Sequence, residues 1–450
     1  MKRLINHYLK KWKNSSNRKP LLLRGARQVG KTYAIRELGK SFSSFIEINF
    51  ELNKEAKNLF EKNLDPERIF REISTFTGKQ IEPGKTLLFF DEVQSVPDVI
   101  IALRYFYEIM PELHVIAAGS LLDFAIEKVG VPVGRVQFLY MYPMSFLEFL
   151  AAMDQNIIIE HILKHSAEEE NLDVIHNKFL DLVGQYMAIG GMPQAILCWK
   201  TQQNLHACAE IPQTLTSAYQ YDFIKYGKNS QIKYLDIMFS KIPQQLGKKF
   251  KYSQIGEYRK RELEPCLDLL VTAGIIHKVL YTAAQGIPLG AQVDLDTFKI
   301  IFLDVGLTQF ILGLKTGNWI LDPLTEFNNR GMLVESFVGQ EIIAYENPTR
   351  KSALYYWKRD SRSSEAEVDY VLQYQRNIIP IEVKSGKGST LKSMQLFLET
   401  HKETPYGIRF SSQNYSIYEK IHSYPLYAIA KIFIDEDDDV KESILQLIKN

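Results

Sequence analysis

LLLRGARQVGKT, running from Leu21 to Thr32, decides how the rest of the chain is read. Three leucines form an apolar run of strand length. Gly25-Ala26-Arg27-Gln28-Val29-Gly30-Lys31-Thr32 then fits the pattern G-x-x-x-x-G-K-S/T. The glycines let the backbone curl so that the N–H groups of Ala26, Arg27, Gln28 and Val29 face phosphate oxygens. The helix expected next adds the partial positive charge of its N-terminus. In that geometry Lys31 reaches the β- and γ-phosphates and Thr32 ligates Mg²⁺.

Working outward, SFIEINF (Ser44–Phe50), KTLLFFDEVQ (Lys85–Gln94) and LHVIAAGS (Leu113–Ser120) read as further strands. GRVQFLYMYPMSF (Gly134–Phe146) reads as a fifth, stopped by Pro143. Continuous apolar runs suit strands buried on both faces, and the helical stretches between them imply a parallel sheet. Asp91-Glu92 ends the LLFF strand. After a complete phosphate loop, Asp91 is expected in the Mg²⁺ shell and Glu92 beside the attacking water as polarising base. Ser120 follows HVIAAG, where it either senses the γ-phosphate or caps a helix.

These residues resemble the AAA+ ATPases. More narrowly, GARQVGKT, LLFFDEVQ, AAGSLL, GRVQFLYMYPMSFLEF, GGMPQAI, IFLDVGL and IPIEVKSG resemble a prokaryotic family of AAA-type ATP-binding proteins with an uncharacterised C-terminal region. The resemblance implies ATP as ligand, Mg²⁺-dependent hydrolysis, and an arginine that completes the site, often from a neighbouring subunit of a homo-oligomer. Arg135 is the candidate; its alternative is a local ion pair.

From Leu147 to Tyr226 the pattern is helical, interrupted by Gly190-Gly191-Met192-Pro193. Then YSQIGEY and ELEPCLDLLVTAGII read as two short helices, followed by two strands around a Gly/Pro-rich turn, the order of a winged helix. Lys248, Lys249, Lys251, Arg259, Lys260 and Arg261 gather at the second helix, interleaved with Tyr252 and Tyr258. Such cations suit phosphate contacts, with DNA favoured over RNA, or else form a solvated or protein-binding face.

In IIPIEVKSG, residues i and i+2 share a strand face, so Glu382 and Lys384 project together. In EAEVDYVLQY, Glu367, Asp369 and Val371 share a face. If the two strands are neighbours, Asp369 and Glu382 converge on one divalent ion, Mg²⁺ or Mn²⁺, with Lys384 beside them. Glu335 adds a carboxylate from a helix. Two carboxylates and a lysine suit metal-assisted phosphodiester hydrolysis. The other reading of the pair is a cross-strand salt bridge. The arrangement resembles the PD-(D/E)xK restriction-endonuclease-like fold, with Val368 where that pattern has proline and Gln395 at a polar position of the following helix.

The chain has 450 residues and a net charge of +1, so contact with nucleic acid must come from a local patch. Its three cysteines, Cys198, Cys208 and Cys266, form no C-x-x-C pair. No apolar run approaches the ~18 residues of a membrane span. A cytoplasmic protein without a membrane role is expected. The fold class is α/β, with four expected parts. Residues 1–150 form a P-loop AAA+ ATPase domain, 151–226 a helical linker or lid, 227–310 a winged helix, and 311–450 a nuclease-like α/β domain. The function expected is an ATPase coupled to a nucleic-acid-binding, nuclease-like module; the alternative is a nucleotide-gated DNA- or protein-binding regulator whose nuclease-like part is inert.

Overall fold

The computed structural model describes residues 1–119, 122, 126, 129–130, 132–226, 229–359, 366–384 and 391–449. These form two compact units, residues 2–142 with 347–351, and residues 143–346 with 352–450.

The first unit holds five strands: β1 (Leu21–Arg24), β2 (Ser44–Asn49), β3 (Thr86–Asp91), β4 (His114–Ala118) and β5 (Gln137–Tyr140). All pair in parallel, in the order β2-β3-β4-β1-β5. Alternate residues Leu22, Ile46, Ile48, Leu88, Phe90, Val115 and Ala117 form one buried face with the helices Pro66–Thr77 and Asp98–Ile109. Local sequence dictates the first of these helices. Asp65 accepts a hydrogen bond from the Glu67 N–H, Pro66 opens it, and Gly78 in the left-handed region closes it. The helix Lys31–Gly39 packs on β3 and β4. The unit runs to Tyr142, and 347–351 returns to it through the Tyr140 N–H, which donates to the Pro348 carbonyl at 2.9 Å.

The second unit begins with helices, including Phe146–Ala152, Asp173–Ile189, Pro193–Gln202 and Leu205–Tyr226. The Gly190-Gly191 break has a packing cause. Gly190 has φ of 83°, and a Cβ there would meet the Asp304 carboxylate at 2.4 Å. Asp304 is fully buried. It accepts from the Gly191 N–H at 2.5 Å and caps the helix Val305–Ile311 through the Leu307 N–H at 2.8 Å. The motifs GGMP and FLDVGL are therefore two halves of one structural joint. Desolvation pushes the Asp304 carboxyl up to about 6, with these backbone donors opposing.

Eight strands follow: β6 (Ile276–Thr282), β7 (Val293–Phe302), β8 (Leu354–Lys358), β9 (Glu367–Tyr374), β10 (Asn377–Lys384), β11 (Gly407–Ser411), β12 (Ser416–Tyr418) and β13 (Ile421–Pro425). They make a single mixed sheet, β12-β13-β11-β10-β9-β8-β6-β7. The hairpin expected as a separate wing is thus continuous with the C-terminal strands, because β6 pairs in parallel with β8 from Val279↔Leu354 onward. No sheet boundary falls near residue 310. The stretch YSQIGEY, expected as a helix, is one 3₁₀ turn at Tyr252–Gln254, since Gly256 with φ of 153° ends it. Pro380 is tolerated inside β10 because pairing with β11 starts one residue later, at Ile381. The acidic DEDDD run supplies Asp437 as the cap of the helix Asp438–Ile448. Among the described residues, no helix is long and apolar enough to cross a membrane.

Candidate nucleotide site and C-terminal acidic cluster

The phosphate loop leaves β1 with positive φ at Gly25, Gln28 and Gly30. A Cβ at Gly25 would lie 2.1 Å from the Met141 carbonyl, so only glycine fits there. The loop is also held from outside: Arg3, 7% exposed, donates to the Val29 and Tyr142 carbonyls at 2.7 Å each. Lys31, likewise 7% exposed, lies folded under the loop and donates to the carbonyls of Gly25 and Ala26 at 2.8 Å each. The Thr32 hydroxyl, at the start of the helix Lys31–Gly39, donates to Asp91 Oδ2 at 3.1 Å, although β4 lies between β1 and β3 in the sheet.

Asp91 is buried. Desolvation, then the Glu92 charge, pushes its carboxyl up to about 6, while the Thr32 hydroxyl and the Glu92 N–H pull it down. Asn49 Nδ2 also donates to Asp91, at 3.3 Å; it sits opposite Asp91 across the β2–β3 pairing. Glu92 adopts left-handed backbone (φ 55°), and Gln94 Nε2 donates to its carboxylate at 2.6 Å. Gln94 is wedged against Gly119: a Cβ on that glycine would lie 2.1 Å from Gln94 Oε1. Gln94, Asn49 and Arg3 are positioning residues that the sequence reading missed. Sheet register and turn geometry bring them in, and no spacing rule displays either.

Two other expectations resolve differently. Ser120 lies outside the described residues. Arg135 pairs with Glu108 at 2.8 Å, and Glu108 also takes Arg104. Arg135 precedes β5, whereas the loop follows the far end of β1, which runs parallel to β5. Roughly 15 Å of strand separates those ends. Arg135 therefore lies at the opposite end of the sheet from the phosphate loop of its own chain.

In the second unit, β9 and β10 are antiparallel neighbours with Tyr370 opposite Ile381. The next residues along, Asp369 and Glu382, share the opposite face, and Asp369 Oδ2 accepts from the Val383 N–H at 2.8 Å. Glu335 joins them from the helix Gly331–Tyr345. So far this is the expected convergence. The hub, however, is Lys299 of β7, 1% exposed, whose Nζ lies 2.7 Å from Glu335, 2.8 Å from Glu367 and 3.6 Å from Asp369. Burial alone would drive the proton off this amine. The charges of Glu335, Asp369 and Glu367 outweigh that and hold its pKa well above the ordinary lysine value. Desolvation, with the Asp369 charge adding to it, raises the Glu335 carboxyl, while Lys299 opposes. Glu382 is pushed up to about 7, first by burial and then by Asp369. Lys384 forms an ion pair with Glu382.

The metal assignment to Glu335, Asp369 and Glu382 is accordingly corrected. An ammonium stands among the carboxylates, and among the described residues no three His, Cys, Asp or Glu side chains are grouped to hold a metal ion. The donors do not fit a divalent ion, and no chemistry is derived through one. The catalytic roles expected for Asp369, Glu382 and Lys384 lose their basis with it. Gln395 is exposed on its helix. The sequence reading missed Lys299 because it sits in a strand assigned to another domain.

The basic stretch is open to solvent: Lys248, Lys249, Lys251, Arg259, Lys260 and Arg261 are all exposed. Lys260 pairs with Asp296 at 2.9 Å and Glu264 at 3.3 Å. These partners neutralise part of the patch.

Strand order, phosphate loop and the Thr32–Asp91–Glu92 grouping define a P-loop nucleotide-binding domain of the ATPase class. Residues 17–150 match a family model described as an AAA domain. Residues 180–318 and 330–429 match two domains of unknown function, DUF8612 and DUF4143. No curated protein sequence matches the chain. Among solved structures, the Walker-type ATPase PABY2304 of Pyrococcus abyssi is 16% identical, over 68% of this chain and 94% of that one, with a TM-score of 0.44. C. elegans PCH-2 is 14% identical over 46% of this chain and 67% of that one (TM-score 0.28). The S. cerevisiae Hsp104–ADP complex is 13% identical over 77% and 44% (TM-score 0.28). Overlaps this loose carry no functional argument.

Proposed function

We propose that the chain is a Mg²⁺-dependent ATPase whose nucleotide state controls a second unit that binds nucleic acid without cutting it. The observation that carries the first half is Thr32 and Asp91 oxygens 3.1 Å apart beneath a complete phosphate loop. Hard oxygen donors at that spacing fit Mg²⁺. When bound, the ion neutralises phosphate charge. On ATP binding, Lys31 exchanges the Gly25 and Ala26 carbonyls for β- and γ-phosphate oxygens, and the loop N–H groups close round them. Glu92, steadied by Gln94, orients the attacking water and takes its proton. Arg135 of one subunit approaches the γ-phosphate held by another in a homo-oligomer, leaving Glu108 to do so. Ser120 senses the γ-phosphate.

For the second half, the exposed cations lie just before and at the start of the helix Lys260–Thr272, ahead of the β6–β7 hairpin, an order that supports a winged-helix reading with DNA as the favoured partner. The same surface would suit an acidic protein instead. The second unit acts as a nucleotide-gated binding module, in the cytoplasm.

Steady-state ATP hydrolysis tests the reading. Turnover that needs Mg²⁺, falls about 10²–10⁴-fold in Glu92→Gln and vanishes in Lys31→Ala is expected. Full turnover in Lys31→Ala would refute it. Duplex DNA binding should weaken steeply with salt, and neutralising Lys248, Lys249 and Lys251 together should flatten that slope by about three units. An unchanged slope would move the partner to protein.

A further inference from the structure

The helical hairpin that follows the Gly190-Gly191 joint carries two cysteines that face each other. Its first arm is the helix Pro193–Gln202 and its second the helix Leu205–Tyr226, which pack together. Gln203, with left-handed backbone (φ 48°), and Asn204 make the turn between them. Cys198 is part-exposed on the first arm, and Cys208 is 4% exposed near the start of the second. The Cys208 Sγ lies 3.9 Å from the carbonyl oxygen of Ala195, which is one helical turn before Cys198. The two thiols share a hydrogen bond. Cys266 is placed differently: it is buried on the helix Lys260–Thr272, and its thiol donates to the Gln231 and Glu262 carbonyls at 3.8 and 3.5 Å. An S–S bond requires two sulfurs to close to about 2 Å. A cavity of about 80 Å³ beside Cys208, lined also by Leu205, Pro212, Phe310 and Leu314, gives the second arm room to shift.

We infer that Cys198 and Cys208 form a site of reversible thiol–disulfide exchange, and that their disulfide staples the two arms of the hairpin. The oxidant is a low-molecular-weight disulfide such as oxidised glutathione. The Cys198 thiolate, reached from solvent, attacks one sulfur of that molecule and breaks its S–S bond. The expelled thiolate takes a proton from water, and a mixed disulfide remains on Cys198. Cys208 then releases its own proton and attacks the Cys198 sulfur, expelling the second small thiolate, which is protonated in turn. Two protein S–H bonds become one S–S bond, and two electrons reduce the small disulfide to two thiols. Burial, then the hydrogen bond with Cys198, pushes the Cys208 thiol up to about 12. It therefore stays protonated and acts second, where contact with the target sulfur offsets the scarcity of its thiolate. This site goes beyond the ATPase and DNA-binding readings and rests on neither.

The test treats the reduced, native full chain with oxidised glutathione, then denatures and alkylates it. Of the three cysteines, only Cys266 is expected to take the alkyl group, and no glutathione should remain on the chain. Peptide mapping should join the segments of Cys198 and Cys208 by a bond that dithiothreitol opens. Amide exchange in the first turns of Leu205–Tyr226 should slow by roughly tenfold once the ring is closed. Cys208→Ser should stop at the mixed disulfide, with glutathione held on Cys198. A chain that reacts at neither cysteine, keeps glutathione on Cys198 with Cys208 free, or links through Cys266 or to a second chain would overturn the inference. So would a cross-link that leaves amide exchange unchanged. If Cys208→Ser does not fold, Cys198→Ser, at the part-exposed position, takes its place. It should gain neither glutathione nor a cross-link, and glutathione on its Cys208 would overturn the assignment.

Discussion

Two buried lysines, one in each unit, show how the same side chain serves opposite ends. Lys31 sits in a loop of positive-φ backbone and donates to two main-chain carbonyls. Carbonyls are neutral acceptors and are readily exchanged for phosphate oxygens, so the ammonium keeps its charge for an incoming anion. Lys299 sits in a sheet and is surrounded by Glu335, Glu367 and Asp369. Its charge is used up within the fold. A lysine near carboxylates is not in itself a functional signature; what matters is whether its partners can be exchanged.

Substitution should separate the two sharply. Lys299→Ala leaves three part-buried carboxylates without their cation and should cost about 3 kcal/mol in denaturant unfolding of the second unit. Lys31→Ala should cost about 1–2 kcal/mol in the first unit, since its hydrogen bonds to the Gly25 and Ala26 carbonyls are to neutral acceptors, while removing nucleotide binding. Equal stability losses would erase the distinction.

A smaller effect is expected at the joint between the second unit's two sequence motifs. Gly190→Ala must place a Cβ against the Asp304 carboxylate at positive φ, and should destabilise by about 1–3 kcal/mol. Gly78→Ala, also at positive φ but with open space around it, should cost less. Comparable losses would show that backbone strain alone decides.

A further effect concerns pH. Glu341 is fully buried and accepts from the Phe146 N–H at 2.9 and 3.1 Å, facing Tyr345 and Glu148. Desolvation raises its carboxyl to about 8, with the Tyr345 hydroxyl and the Phe146 N–H opposing. The folded state therefore binds its proton more tightly than the unfolded chain. The stability this contributes is complete below about pH 4 and is lost as pH rises through 8. Glu341→Gln should flatten that part of the stability profile; an unchanged profile would assign the titration elsewhere.

The first unit was legible because each of its functional parts is local. A loop of eight residues and a strand ending in Asp-Glu carry their meaning in consecutive positions, and alternation of strands and helices implies the parallel sheet. The second unit was legible in its elements and not in their assembly. β9, β10 and the Glu335 helix fall close to the stretches expected, and Asp369 does approach Glu382. Nothing in the spacing of residues 276–302 says that their hairpin joins β8. Without that pairing Lys299 looks like one strand lysine among many, and the carboxylates look ready for a metal. The missed residues Gln94, Asn49 and Arg3 share this cause: each acts through a neighbour distant in sequence or through a turn, where propensity is silent.

The central claim is that the lysine of the first unit is held for a triphosphate and that of the second is not. Calorimetric titration of the full chain with a non-hydrolysable ATP analogue and Mg²⁺ tests it most directly. Saturable binding that is lost in Lys31→Ala and kept in a folded Lys299→Met chain is the predicted result; binding that survives Lys31→Ala with undiminished affinity would contradict it.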